Sequence, residues 1–318
     1  NFWDFLGETN IYWDKDPETG KLIAIEGKRA VTNRTVVFVR QDWLAKLEMD
    51  APTTRDEFYN MLVAFKDNAD TLLGADASKM VPYSMGVDVG WRASSLIDSC
   101  IDPDISDKEF YINGFDERNL TQNGTKEATR ILNQWYNEGL IWNDFALHPD
   151  GDTAEDDMMK AGYVGAFCHN WDYPYRNGEE SIQANLQRTF GEDAGYVAIE
   201  CFEDSKGGYN KYSYSTAGDR KIFFPSTNDE PLASMLYLEF ITSPEVIQYL
   251  QLGDEGVTHN VLEDGSYEIV AATGDPIMNS GNNIDMTITC NGLHLLDPDA
   301  TIKSIAHGYA GVDPELVI

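Results

Sequence analysis

The sequence predicts an α/β protein with two lobes, and two observations support this prediction. The chain has 318 residues, 42% of them hydrophobic, which is more than one small core requires. Short apolar runs typical of strands also alternate with segments whose apolar residues recur at helical spacing. A chain of this kind can bury a sizeable interior without help from disulfides or metals.

The predicted strands are short runs of apolar and β-branched residues bounded by turn residues. A turn at residues 14–20 (DKDPETG) precedes the first strand, because Pro, Asp and Gly supply the backbone dihedrals of tight turns. The strands are expected at residues 22–25, 35–40, 163–168 and 195–199.

The predicted helices combine apolar periodicity with start and stop signals. Residues 54–57 (TRDE) form a capping box, and Gly139 and Gly162 are the stop signals of two further helices. Trp135 lies on the apolar face of its helix and is expected in the core. Proline in the first turn marks the last two helices. The helices are expected at residues 54–65, 125–138, 153–161, 231–241 and 244–251.

The net charge of the chain limits the classes of partner that it is expected to bind. Lys and Arg number 23 against 54 Asp and Glu, which gives a formal net charge of −31. A nucleic-acid partner is therefore not expected, because phosphate binding requires clustered cations. A solvated acidic surface accounts for the charge and favours solubility.

The four cysteines are widely spaced and form no C-x-x-C motif, so neither a zinc site nor a thioredoxin-type site is predicted. Buried free thiols are expected for Cys100, Cys168, Cys201 and Cys290. A disulfide between Cys168 and Cys201 stays open as an alternative. No run approaches the roughly 18 to 20 apolar residues of a membrane-spanning helix.

No catalytic or cofactor-binding motif is visible. The sequence lacks G-x-S-x-G, H-E-x-x-H, Walker A and dinucleotide fingerprints, so we expect neither catalysis nor a cofactor. One group of acidic residues is a candidate for a calcium site, since hard cations bind several oxygen ligands. Acidic residues that favour a helix N-terminus explain this group better, and no metal is predicted. The group comprises Asp150, Asp152, Glu155, Asp156 and Asp157.

The segment most typical of a binding site is residues 169–175 (HNWDYPY). It follows a predicted strand directly, and ligands of α/β sheets bind at strand ends. Asn170, Trp171, Asp172 and Tyr173 place rings beside an amide and a carboxylate.

A series of short motifs, taken in order, resembles extracellular solute-binding proteins of bacterial ABC importers for sugars, of the Gram-positive lipoprotein branch. The motifs are GKLIAI at 20–25, RQDWL at 40–44, PTTRDEF at 52–58, WYNEGL at 135–140, residues 160–171, TSPE at 242–245 and GDEGV at 253–257. The order of the motifs, which covers roughly residues 20 to 260, carries the resemblance.

The resemblance implies the periplasmic-binding-protein-like type II fold, in which two α/β lobes are joined by a hinge and enclose an interlobe cleft. Residues 1–20 would be a remnant of the N-terminal lobe and residues 24–212 the second lobe. Residues 213–318 would return to the first lobe and add a C-terminal tail. Compared with whole members, the first β/α units of the N-terminal lobe would be missing before Asn1.

The resemblance also implies ligand contacts. Trp171 matches the position of a ring that stacks on a sugar, although a structural role at the interlobe surface is the alternative. Trp91 matches a second ring, with core packing as an equal alternative. Tyr214 at the second chain crossing, and Arg29 and Asn33 after the first, are further candidates.

The implied function is the capture of an extracellular carbohydrate, an oligosaccharide, and its delivery to the transmembrane subunits of an ABC permease. The protein would be a monomer at the cell surface, anchored through a lipid not present in this chain, or periplasmic. The alternatives are a carbohydrate-active enzyme built on an anonymous carboxylate pair and a surface glycan-binding lectin-like module.

Overall fold

The computed structural model describes residues 2–29, 35–104, 106, 123–149, 152–176, 178–209, 220–269, 288–294 and 297–307. These residues form two compact units. The first unit contains residues 2–29, 220–269, 288–294 and 297–307, and the second contains residues 35–104, 106, 123–149, 152–176 and 178–209.

The elements are numbered in chain order. The helices are α1 Phe2–Leu6, α2 Glu8–Trp13, α3 Gln41–Lys46, α4 Arg55–Asp67, α5 Ala69–Leu73, α6 Val89–Arg92, α7 Ser94–Ser99, α8 Asn123–Asn137, α9 Ala154–Lys160, α10 Ile182–Phe190, α11 Pro231–Ile241, α12 Pro244–Leu252 and α13 Pro298–His307. The strands are β1 Ile25–Glu26, β2 Lys28–Arg29, β3 Thr35–Arg40, β4 Val81–Ser84, β5 Val164–Asn170, β6 Tyr196–Ile199, β7 Lys221–Ile222, β8 His259–Val261, β9 Tyr267–Ile269 and β10 Cys290–Asn291. Short 3₁₀ turns occur at Gly74–Lys79, Phe145–Leu147, Tyr173–Tyr175 and Gly178–Glu180.

The second unit is built on a mixed four-stranded sheet with the order β4-β5-β3-β6. Strands β4 and β5 are parallel, whereas β3 runs antiparallel to both β5 and β6. Phe38 of β3 pairs with Phe167 of β5, and both side chains are fully buried. A near-continuous buried run along β5 agrees with a strand that is covered on both faces. The predicted strand at 35–40 is therefore confirmed to the residue. The strands predicted at 163–168 and 195–199 each begin one residue later than predicted, and the first of them continues to Asn170.

Helix α4 begins at the predicted capping box. The backbone N–H of Glu57 donates to Thr54 Oγ1 over 3.2 Å, and the backbone N–H of Thr54 donates to Glu57 Oε2 over 3.1 Å. The apolar face of the helix then buries Phe58 and Phe65 against the sheet. Trp135 of α8 packs into the same core, as the sequence predicts.

The first unit has a smaller apolar core formed by α1, β1 and α11. Phe2 and Leu6 pack there with Ile25, Leu238 and Ile241. Strand β1 pairs antiparallel with β7, and β8 pairs with β9 in a separate two-stranded sheet.

The strand predicted at residues 22–25 is wrong in its bounds. Leu22 makes only an isolated bridge to Lys15, and the strand begins at Ile25. Ile25 and Glu26 pair with Ile222 and Lys221, whereas residues 22–24 lack this partner strand. A strand forms where backbone partners are available, so an apolar run alone does not define its bounds.

None of the four cysteines forms a disulfide, and Cys100 is only half-buried, so the expectation that all four thiols are buried is wrong for Cys100. Cys168 and Cys201 are buried, and the disulfide left open between them is not formed. Burial raises the pKa of the Cys168 thiol to about 11. Separately, within the described part of the chain no helix combines the length and apolarity needed to cross a bilayer.

Candidate functional site

A cavity of about 240 Å³ lies in the second unit, at the carboxyl ends of the parallel strands β4 and β5. Its wall comes from three segments: the loop and helix α6 after β4, residues 142–149 and 152–156, and the end of β5 with the turn that follows it. The carboxyl edge of parallel strands is where α/β folds bind ligands, because the connecting loops leave a crevice there.

Aromatic rings form one wall of the cavity. The ring of Trp91 meets that of His169 edge-on, with centroids 4.6 Å apart and an interplanar angle of 77°. His169 in turn stacks on Tyr173, with centroids 3.4 Å apart and an angle of 22°. A second stack, Trp142 on His148, has centroids 4.7 Å apart. Such rings supply the flat apolar surfaces that small ligands pack against.

His169 is held neutral within this wall. Burial, followed by the positive charges of Arg92 and Arg176, lowers the pKa of His169 to about 2. The backbone N–H of Asn170 donates to Nδ1 of His169 over 2.8 Å. Because Nδ1 accepts, the single ring hydrogen resides on Nε2, and His169 presents a neutral donor there.

A buried ion pair joins two of the wall segments. Arg92 of α6 donates from Nη1 to Glu155 Oε2 over 2.7 Å and from Nη2 to Glu155 Oε1 over 2.6 Å. Its Nε donates to the carbonyl oxygen of Cys168 over 2.6 Å. Ser84 Oγ donates to Glu155 Oε1 over 2.5 Å. This network ties the ends of β4 and β5 to helix α9, so the wall has a defined geometry.

The carboxylates of Asp88 and Asp156 also line the cavity. Tyr173 donates its hydroxyl to Asp156 Oδ1 over 2.5 Å, and burial together with this bond raises the pKa of Tyr173. Asp88 caps α6, since its Oδ1 accepts from the backbone N–H of Trp91 over 3.1 Å. Carboxylate oxygens of this kind accept hydrogen bonds from hydroxyl groups.

The structure places two of the predicted site residues, Trp91 and Tyr173, in the wall of the cavity. Asn170 is the last residue of β5, and Trp171 is half-buried in the turn that follows. Asp172 pairs with Arg176, with Oδ1 and Nη2 2.6 Å apart. Asn170, Trp171 and Asp172 are not among the described residues that line this cavity.

Of the three other candidates, the structure describes only Arg29. Arg29 lies in the first unit on β2, where its backbone pairs in parallel with Asn291 of β10. Asn33 and Tyr214 lie outside the described residues.

Several wall residues were missed by sequence reasoning. Arg92 and Glu155 are 63 positions apart, and no local pattern links them. Trp142 follows a helix end without any motif of its own. His169 is the exception, because it opens the segment HNWDYPY and its strand-end position could have singled it out.

Of the acidic residues considered for a calcium site, Asp150 lies outside the described residues, and the other four have protein partners. Asp152 pairs with His148 over 3.2 Å, and Asp156 accepts from Tyr173. In the part of the chain that the structure describes, no three or more His, Cys, Asp or Glu side chains are grouped to hold a metal ion.

No protein-family model matches the chain. Among curated proteins it is similar to the polygalacturonan/rhamnogalacturonan-binding protein YtcQ of Bacillus subtilis, with 23% identity over 268 residues, 78% of this chain and 47% of the relative. It is also similar to lipoprotein LipO of the same organism, with 28% identity over 200 residues, 58% of this chain and 35% of the relative. The chain thus spans less than half the length of either relative.

Solved structures match over nearly the whole chain. An extracellular solute-binding protein from Bifidobacterium longum subsp. infantis aligns with a TM-score of 0.61 and 19% identity, covering 97% of this chain and 64% of that one. The ABC-transporter substrate-binding protein FusA of S. pneumoniae, in complex with kestose, aligns with a TM-score of 0.59 and 13% identity, covering 94% and 62%. The chain therefore has the fold that its motifs predict, that of the extracellular solute-binding proteins of the periplasmic-binding-protein-like type II class.

Proposed function

We propose that this chain captures an extracellular carbohydrate, an oligosaccharide, for delivery to an ABC permease. The single observation that carries the proposal is the cavity at the ends of β4 and β5, which places aromatic rings beside hydrogen-bonding groups. Sugars present C–H faces to rings and hydroxyls to polar side chains, so a wall of this composition suits them.

The wall supplies each kind of contact that a sugar ring requires. Trp91 offers a ring face or edge, and Nε2 of His169 offers a neutral donor. Asp88 and Asp156 offer acceptors at the same cavity. At about 240 Å³ the cavity is smaller than the roughly 300 to 1,000 Å³ of sites that enclose drug-sized ligands, so it suits part of an oligosaccharide.

The relatives support the same class of ligand. YtcQ is named for binding polygalacturonan and rhamnogalacturonan, and FusA was solved with kestose. LipO is named as a lipoprotein, and the Bifidobacterium protein as extracellular. We extend these properties to the present protein: it acts outside the cell membrane, at the cell surface or in the periplasm, as a monomer that hands its ligand to transmembrane permease subunits.

We also propose that the protein binds its ligand without converting it. YtcQ and FusA are named as binding proteins, and the buried carboxylate Glu155 is engaged by Arg92. A glycosidase needs two carboxyl groups that act on one glycosidic bond, so a working pair in this cavity would be detected as hydrolysis of the bound sugar.

The experiment is a thermal-shift screen against a panel of oligosaccharides, followed by prolonged incubation of each binder with the protein. A rise in melting temperature with a chemically unchanged sugar supports the proposal. Enzyme-dependent hydrolysis would assign the cavity to a glycosidase. Small-angle scattering separates the lectin alternative, because a carrier of this fold becomes more compact on ligand binding whereas a lectin-like module keeps its radius of gyration.

A further inference from the structure

The charges around the cavity at the ends of β4 and β5 restrict which sugars it accepts. We infer that this cavity selects uncharged sugar residues and excludes uronates. The inference rests on the proposed function, since it names the chemical class of the carbohydrate that the same site binds.

Carboxylates dominate the ionisable groups of the cavity wall. Among the described residues that line it, the acidic ones are Asp88, Asp152, Glu155 and Asp156, and the permanently cationic one is Arg92. The formal charge of these five side chains is therefore −3. A ligand carboxylate entering this space meets repulsion from several sides, and low-dielectric walls strengthen it.

Arg92 does not offset this repulsion, because its charge is already matched inside the protein. The guanidinium side chain is 5% exposed and forms the bidentate pair with Glu155, while its Nε donates to the Cys168 carbonyl. Recognition of a carboxylate by arginine uses the same two-pronged face that Glu155 occupies. A uronate would have to displace a protein carboxylate that remains buried beside it.

The other nitrogen groups near the cavity are already engaged or uncharged. His148, which also lines the cavity, pairs with Asp152, with Nδ1 and Oδ2 3.2 Å apart. His169 is neutral, so its Nε2 hydrogen is a donor suited to a hydroxyl oxygen. Arg176, which lies close to Tyr173, pairs with Asp172 and is not among the described lining residues. A neutral sugar hydroxyl can donate to the carboxylates and accept from His169 without any charge to neutralise.

This selectivity differs from what the name of one relative implies. YtcQ is described as a binder of polygalacturonan, a polymer of acidic sugars. At 23% identity most positions differ between the two chains, and one fold can carry sites of different ligand charge.

The test compares matched ligands by isothermal titration calorimetry. Each neutral oligosaccharide that binds is paired with the derivative in which one C6 hydroxymethyl group is oxidised to a carboxylate, and uronate oligomers are screened independently. A chelator is present throughout, so that no divalent cation bridges ligand and protein carboxylates. We expect the oxidised partner to bind at least about tenfold more weakly, equivalent to about 1.4 kcal/mol.

Charge-removal variants test the cause. The double variant Asp88→Asn/Asp156→Asn keeps both hydrogen-bond acceptors, since Asn also caps helices and accepts from hydroxyls. It should reduce the discrimination against the oxidised ligand several-fold. Glu192→Gln, an exposed acidic residue between α10 and β6 that does not line the cavity, is the matched control and should leave the ratio unchanged. Asp152→Asn serves as a second variant if the double variant fails to fold.

The outcomes separate the two proposals. Equal or tighter binding of uronates, or a ratio that the charge-removal variants leave unchanged, overturns the inference and leaves carbohydrate capture standing. If no oligosaccharide of either class binds, the proposed function fails and the inference fails with it.

Discussion

Arg92 and Glu155, which are 63 positions apart in the sequence, form a bidentate ion pair with N–O distances of 2.7 and 2.6 Å. The pair connects helix α6, which follows the parallel strand β4, to helix α9. Both side chains are largely buried, so each charge depends on the other. The pair is therefore a determinant of the wall's geometry as well as of its charge.

Removing the charge of Glu155 should destabilise the second unit. Glu155→Gln leaves the Arg92 guanidinium buried without its counter-ion, and breaking a buried pair costs about 3 to 5 kcal/mol of unfolding free energy. Urea unfolding followed by fluorescence measures the change. Asp157→Asn, on the exposed side of the same helix, is the control and should cost less than about 0.5 kcal/mol. Equal stabilities of the two variants would show that the Arg92–Glu155 pair does not stabilise the second unit.

Truncation of Trp91 should weaken sugar binding. Trp91→Ala removes the ring that meets His169 in the cavity wall, and anchors of this type contribute about 2 kcal/mol, or roughly thirtyfold in affinity. Calorimetric titration with a binder from the screen measures the effect. Trp91→Phe keeps a ring and should retain most of the affinity. Unchanged affinity in Trp91→Ala would show that the sugar binds elsewhere.

Trp171 stays a predicted ligand contact, and one variant distinguishes its two roles. If Trp171 stacks on the ligand, Trp171→Ala should lose roughly thirtyfold in affinity and keep its melting temperature. A structural Trp would instead lose about 3 kcal/mol of stability on truncation. Affinity and melting temperature are measured on the same preparation. A normal affinity with a collapsed melting temperature would rule out the ligand contact.

The neutral state of His169 should make stability depend on pH. The unfolded chain binds a proton at this residue below about pH 6.5, whereas the folded chain, with a pKa of about 2, does not. Falling pH therefore stabilises only the unfolded state, and His169 should reduce the unfolding free energy by about 2 kcal/mol between pH 8 and pH 5.

The matched variant His169→Gln cannot titrate, so it isolates this contribution from that of all other groups. The difference in unfolding free energy between wild type and variant should shift in favour of the variant by about 2 kcal/mol as the pH falls from 8 to 5. Urea unfolding at the two pH values measures it. A difference that is the same at both pH values would mean that His169 protonates in the folded state.

Lys221 should stabilise the first unit through two buried carboxylates. Its Nζ lies 3.0 Å from Asp14 Oδ1 and 2.9 Å from Glu26 Oε2, and both acidic side chains are almost fully buried. Lys221→Met should cost about 3 kcal/mol, because two buried charges lose their common partner. Lys206→Met, which removes an exposed pair with Asp104, should cost much less. Similar losses in both variants by urea unfolding would argue against the buried arrangement.

Elements specified by local signals could be predicted from the sequence. The capping box at Thr54 and Glu57 is satisfied by residues three positions apart, so helix α4 begins where the sequence indicates. Trp135 falls on the buried face of α8 because helical periodicity is a property of the chain itself.

Predictions from the sequence were wrong or incomplete where a residue's partner in the structure is distant in the sequence. The strand expected at residues 22–25 begins instead at Ile25, because only there does β7, nearly 200 residues later, supply backbone partners. The site shows the same limit. Position after a strand end pointed to Tyr173, but not to the carboxylate of Asp156 that its hydroxyl binds.

The sequence by itself determined the class of the fold, helix α4 with its capping box, the acidic character of the chain and a strand-end segment typical of ligand binding. These properties depend on composition and on residues a few positions apart. Only the tertiary structure decided that Arg92 is neutralised by Glu155, that His169 is an uncharged donor and that both border one cavity with Trp91. Charge state and pairing in a buried site depend on burial and on distances between remote segments, and these arise only when the sheet brings the ends of its strands together.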